Sequence, residues 1–89
     1  MKYDTMNACL MTLKAFFDNA DRVFIVSELR TLINSRHNAD YSYMRIKRYA
    51  EYLESHGFLA RVGSHGFQLS RKLCKSSYDH YRSILQSYI

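Results

Sequence analysis

The hydrophobic pattern of this chain changes period at Gly57. In the segment that leads up to it, Ile46, Tyr49, Ala50 and Leu53 recur at helical spacing. Downstream, Phe58-Leu59-Ala60-Arg61-Val62 and Phe67-Gln68-Leu69-Ser70 have the look of two strands, joined by Gly63-Ser64-His65-Gly66, a turn with glycine at both ends. The chain has three glycines and no proline. Gly57 stands where the helical pattern stops, because glycine takes the left-handed conformation at a helix end without steric cost. Gly63 and Gly66 shape the hairpin, and nothing else in the chain demands special backbone angles.

Four segments upstream carry the rest of the pattern. Met6, Cys9, Leu10, Leu13, Phe16 and Phe17 predict a helix over Thr5–Phe17, capped by Asp4 or Thr5 and ended by Asp18-Asn19. Val23-Phe24-Ile25-Val26 predicts a short strand. Ser27 is a good N-cap for a second helix with Leu29, Leu32 and Ile33 on its apolar side, ending near Asn34. The polar stretch from Ser35 to Ala39 reads as a turn. A third helix runs from Asp40 or Ser42, either of which can cap it, to His56, with Ile46, Tyr49, Ala50 and Leu53 inward. Beyond the hairpin, Ser76 and Asp79 have capping-box spacing. Tyr78, Tyr81, Ile84, Leu85 and Tyr88 then form the amphipathic face of a last helix.

The 89 residues leave room for one domain, and 47% apolar content is too rich for a disordered chain. Cys9 and Cys74 fit neither a CxxC pair nor a disulfide framework, so both are expected to be structural thiols in a reducing compartment. The N-terminus has no signal-peptide core, and no apolar run approaches the length of a membrane span. A soluble, cytoplasmic protein without a membrane partner is therefore expected.

The placement of charge is more informative than its total. Residues 1–40 carry five basic and five acidic side chains, and Asp79 and Arg82 cancel near the end. Residues 41–75 carry seven basic and two acidic ones, so the whole net charge of +5 lies in that stretch. A localised positive field attracts polyanions and steers their approach.

The order helix, strand, helix, helix, strand, strand, helix resembles the winged-helix family, a helix-turn-helix variant with a β-hairpin wing. The resemblance covers roughly residues 5–71. It is carried by Val26-Ser27-Glu28-Leu29 and by the run from Tyr52 to Arg61 followed by Gly66-Phe67-Gln68-Leu69-Ser70. It implies a mainly α fold with a small β-hairpin, in the order α-β-α-α-β-β, over residues 1–75, with an appended C-terminal helix over 76–89. It also implies a third helix that enters the major groove and a hairpin that lies along the backbone or the minor groove.

Winding the third helix at about 100° per residue turns Met44, Arg48, Glu51 and Ser55 outward, with Arg45 and Tyr52 on one flank and Lys47 on the other. Arg45 and Arg48 are the candidates for base contact, because a guanidinium donates two bonds to guanine in a geometry lysine cannot copy. Ser42 and Tyr43 suit a phosphate at the helix start, Lys47 is a better phosphate neighbour than base reader, and Tyr41 can pack on a sugar. Arg61, Ser64, His65, Arg71 and Lys72 line the expected wing. Lys47–Glu51 and Arg48–Glu51 have the spacing of helical ion pairs that would satisfy each other and leave the face merely solvated. His65 has a second conceivable role as a pH-sensitive group, against the simpler one of a polar turn residue.

His37, His56, His65 and His80 show no zinc spacing, and no nucleophile elbow, P-loop, dinucleotide or HExxH motif occurs. Neither catalysis, a cofactor nor a small-molecule ligand is expected. The terminal helices carry more apolar surface than a small domain needs, so Phe16, Phe17, Tyr78, Tyr81, Leu85 and Tyr88 are expected to pair across a two-fold axis. The sequence thus predicts a dimeric, sequence-specific regulator binding double-stranded DNA. The rivals are a winged helix used for protein–protein interaction and a nonspecific architectural binder of nucleic acid.

Overall fold

The computed structural model describes residues 3–19, 21–70 and 82–83, with side chains from Met6 onward. Among these the chain is mainly helical, with three helices and a small three-stranded antiparallel sheet. The elements are α1 (Tyr3–Asp18), β1 (Phe24–Ile25), α2 (Val26–His37), α3 (Tyr43–Ser55), β2 (Leu59–Val62) and β3 (Gly66–Leu69). None of the described helices is long and apolar enough to cross a membrane. Of the expected C-terminal helix only Arg82 and Ser83 are described, helical and exposed. Tyr78, Tyr81, Leu85 and Tyr88 lie outside the described residues, as do Arg71, Lys72 and Cys74.

The first helix begins at Tyr3, so the two residues expected to cap it, Asp4 and Thr5, fall inside it. Its other end is closed by Asn19, whose backbone N–H donates to the Phe16 carbonyl at 3.2 Å and whose side-chain amide donates to Ala15 at 3.0 Å. Thr12 is buried in mid-helix and spends its hydroxyl on the Ala8 carbonyl at 2.8 Å.

The second helix departs most from expectation. It starts at Val26, not after Ser27, which leaves two residues for the strand. The cause is Glu28: its carboxylate accepts the Ile25 N–H at 3.2 Å and pairs with Arg22 at 3.3 Å, so a side chain inside the first turn caps the helix from within. At the far end Ser35, Arg36 and His37 are helical instead of forming a turn. Arg36 reaches back to Asp18 at 2.8 Å and ties the last turn of α2 to the end of α1. Asn38 then stops the helix in the left-handed conformation at φ 50°.

The third helix settles the choice of cap in favour of Ser42, whose Oγ accepts the Arg45 N–H at 3.3 Å. Its end lies at His56, and Gly57 leaves it with φ +82°. The hairpin follows, with β3 in the middle of the sheet order β1-β3-β2. One row across the sheet is Phe24, Phe67, Arg61 and the next is Ile25, Gly66, Val62. A Cβ at Gly66 would lie 2.6 Å from the Val62 carbonyl oxygen, so this central position admits no side chain.

The core gathers the inward faces of all three helices against the sheet, with Leu13, Phe16, Leu29, Ile46, Leu53 and Phe67 essentially removed from solvent. Phe16 meets Phe24 edge to face, the ring centroids 5.3 Å apart. This corrects its assignment to a dimer interface: Phe16 is fully buried within its own domain and offers no surface to a second copy. Phe17 is half-buried against the same core.

Candidate nucleic-acid interface

The approach to α3 is fixed by one asparagine. Asn34, in the last part of α2, accepts the Tyr41 N–H at 2.8 Å and donates to the Tyr41 carbonyl at 3.0 Å. Arg30, one turn earlier on the same face of α2, donates to that carbonyl as well, at 3.0 Å. The segment between α2 and α3 is thereby clamped to α2, and α3 starts from a defined point. Sequence reasoning missed Arg30. Its spacing of four from Asn34, which puts both on one helix face, was the available signal.

The side chains expected on α3 fall into distinct environments. Arg45 is exposed but braced: its Nε donates to the Tyr49 hydroxyl at 3.2 Å, and its guanidinium lies 5.2 Å from the centre of the Tyr41 ring. The rings of Tyr41 and Tyr49 meet edge to face at 6.0 Å. Arg48 is exposed and Lys47 half-buried, and neither has a hydrogen-bond or ion-pair partner among the described residues. The Oγ of Ser42 serves as a cap acceptor, while the N–H groups of Tyr43 and Met44 find no acceptor among the described residues. Tyr52 is half-buried and its ring lies against His56, the centroids 4.3 Å apart. A recess of about 320 Å³ on this flank is lined by Cys9, Arg45, Arg48, Tyr49 and Tyr52. Burial pushes the Cys9 thiol up to about 11, so at neutral pH it is a neutral wall of that recess.

The helical ion pairs that would have satisfied Lys47 and Arg48 do not form. Glu51 turns instead toward Arg61 on β2, at 3.9 Å, and Glu54 receives two hydrogen bonds from the same guanidinium, each 3.0 Å long. Arg61 also lies 4.8 Å from the centre of the Phe67 ring. Arg61, expected as a wing contact for DNA, is exposed on β2 and holds the Glu51 and Glu54 carboxylates as its internal partners. The hydrogen bond from Arg61 is also the main reason why the Glu54 carboxyl sits below its ordinary value. Through these contacts β2 stands beside the flank of α3 that bears Glu51 and Glu54, not behind the helix. Ser64 and His65 are exposed in the turn beyond it.

A count of charges from residue 6 to residue 70 separates two groups among the described residues. Lys14, Arg22, Arg36 and Arg61 each have a carboxylate within 4.0 Å. Arg30, Arg45, Lys47 and Arg48 have none. The four cations left without a counter-charge lie on the first half of α3 or against the Tyr41 carbonyl that precedes it. Among the described residues no three His, Cys, Asp or Glu side chains gather where they could hold a metal ion. In comparisons with family models, with curated proteins and with solved structures, nothing matches this chain.

Proposed function

We propose that this chain is a winged-helix domain that binds double-stranded DNA in a sequence-specific manner, α3 entering the major groove and the β2–β3 hairpin serving as the wing. The observation that carries the proposal is the segregation of charge. Among the described residues from 6 to 70, Lys14, Arg22, Arg36 and Arg61 each stand within 4.0 Å of a carboxylate, Lys14 and Arg36 sharing Asp18, while Arg30, Arg45, Lys47 and Arg48 have none. A phosphate backbone supplies the missing counter-charge, and release of its condensed ions supplies affinity. The helical diameter suits the major groove, and an exposed, unpaired arginine is the side chain best fitted to a guanine edge there.

The element order and the β1-β3-β2 sheet support the same reading at the level of architecture. In this proposal the protein is a cytoplasmic regulator that works by occupying its site, with neither cofactor nor catalysis. A second copy joins through Phe17 and the C-terminal segment that carries Tyr78, Tyr81, Leu85 and Tyr88, which places two α3 helices on half-sites about 34 Å apart.

The test is duplex binding at fixed salt. A duplex selected from a random pool should bind at least about 10³-fold tighter than random sequence. A nonspecific binder would show salt-dependent binding without that preference. A protein-interaction module would bind neither duplex.

A further inference from the structure

Met44 is the most exposed large apolar side chain among the described residues, at 54%. It sits in the first turn of α3 on the outward side, one turn ahead of Arg48, and is flanked in sequence by Tyr43 and Arg45. An isolated exposed methionine is unremarkable on most surfaces. Here it stands on the face where the uncompensated cations gather. In a major groove, polar donors and acceptors line the floor, and the C5-methyl of thymine is the one apolar group on the base edges. A flexible thioether side chain is well suited to cover it.

Resting on the DNA-binding reading above, we propose that Met44 is a specificity-determining residue that reads a thymine methyl close to the guanine read by Arg48. Four residues of helix advance about 6 Å, less than two base steps of about 3.4 Å. The thymine therefore lies within about two base pairs of the guanine. Burying one methyl group contributes enough to change affinity about fourfold.

The experiment replaces thymine with deoxyuracil, which removes the methyl and leaves the hydrogen-bonding edge intact. A duplex selected by the full chain is substituted at each thymine in turn, and binding is measured for the natural chain and for Met44→Gln. Because Met44 is exposed, the variant keeps the core intact. The expected result is one thymine, within two base pairs of the Arg48-dependent guanine, where uracil weakens binding about fourfold. In Met44→Gln thymine and uracil should bind alike there. If the chain selects no duplex, the DNA-binding reading itself fails. If it selects one but no thymine in that window is uracil-sensitive, or the sensitivity survives in Met44→Gln, the role of Met44 alone is overturned.

Discussion

Arg61 of β2 donates from Nε and Nη2 to the two carboxylate oxygens of Glu54 near the end of α3, two hydrogen bonds of 3.0 Å joining them across a separation of seven residues. The pair fixes the hairpin beside the helix and removes one positive and one negative charge from the presented surface. Arg61→Ala should therefore lower the melting temperature slightly, since exposed pairs contribute little. It should leave the salt dependence of DNA binding unchanged. Lys47→Ala should do the opposite: melting unaffected, and the slope of log K against log salt reduced by about one. Thermal melts and a salt titration of both variants check this, and a reduced slope in Arg61→Ala would show that Arg61 does meet a phosphate.

The same pair predicts a pH effect. The folded-state Glu54 carboxyl lies below its ordinary value of 4.5, mainly through the Arg61 hydrogen bond. A depressed carboxylate contributes stability that is fully present above the unfolded value and is lost as pH falls through the folded one. The gap in melting temperature between the natural chain and Glu54→Gln should thus be constant from neutral pH down to about 5 and close on further acidification. A gap that does not narrow at all as the pH falls below the ordinary carboxyl value of 4.5 would contradict it.

Phe16 and Phe24 meet edge to face at 5.3 Å in the middle of the core. Removing the Phe16 ring should cost about 3–5 kcal/mol, a large part of what a domain of this size possesses. Chemical denaturation of Phe16→Ala should show a folding transition shifted far toward low denaturant or absent. A variant that unfolds like the natural chain while changing its oligomeric state would restore Phe16 to a dimer interface.

Much of this fold was legible in the sequence for local reasons. The change of period at Gly57 and the paired hairpin glycines act within a few residues and stand where expected, and the cap of α3 is one of the two residues the sequence offered, Ser42 rather than Asp40. The limits of α2 were illegible because they are set by contacts that are distant or unconventional. Glu28 caps from inside the helix, and Arg36 extends it by reaching Asp18 on another element. Phe16 was misplaced because helical periodicity reports an apolar face but not what covers it, and the cover is Phe24 from a strand of two residues. In the candidate interface, the basic residue types were plain from composition. Their state of pairing was not: Glu51 had natural partners at helical spacing in Lys47 and Arg48, and the fold offered Arg61 instead.

Arg48 is exposed, outward-facing and without a partner among the described residues, and the account depends on it reading a base. Selection from a random duplex pool, run in parallel with the natural chain, Arg48→Ala and Lys47→Ala, tests this directly. Arg48→Ala should lose about 1–3 kcal/mol on the selected site and relax the preference for guanine at a single position. Lys47→Ala should weaken all duplexes alike and leave the selected sequence unchanged. If both variants weaken every duplex equally and return the same consensus, α3 does not read the bases through Arg48, and the central claim is wrong.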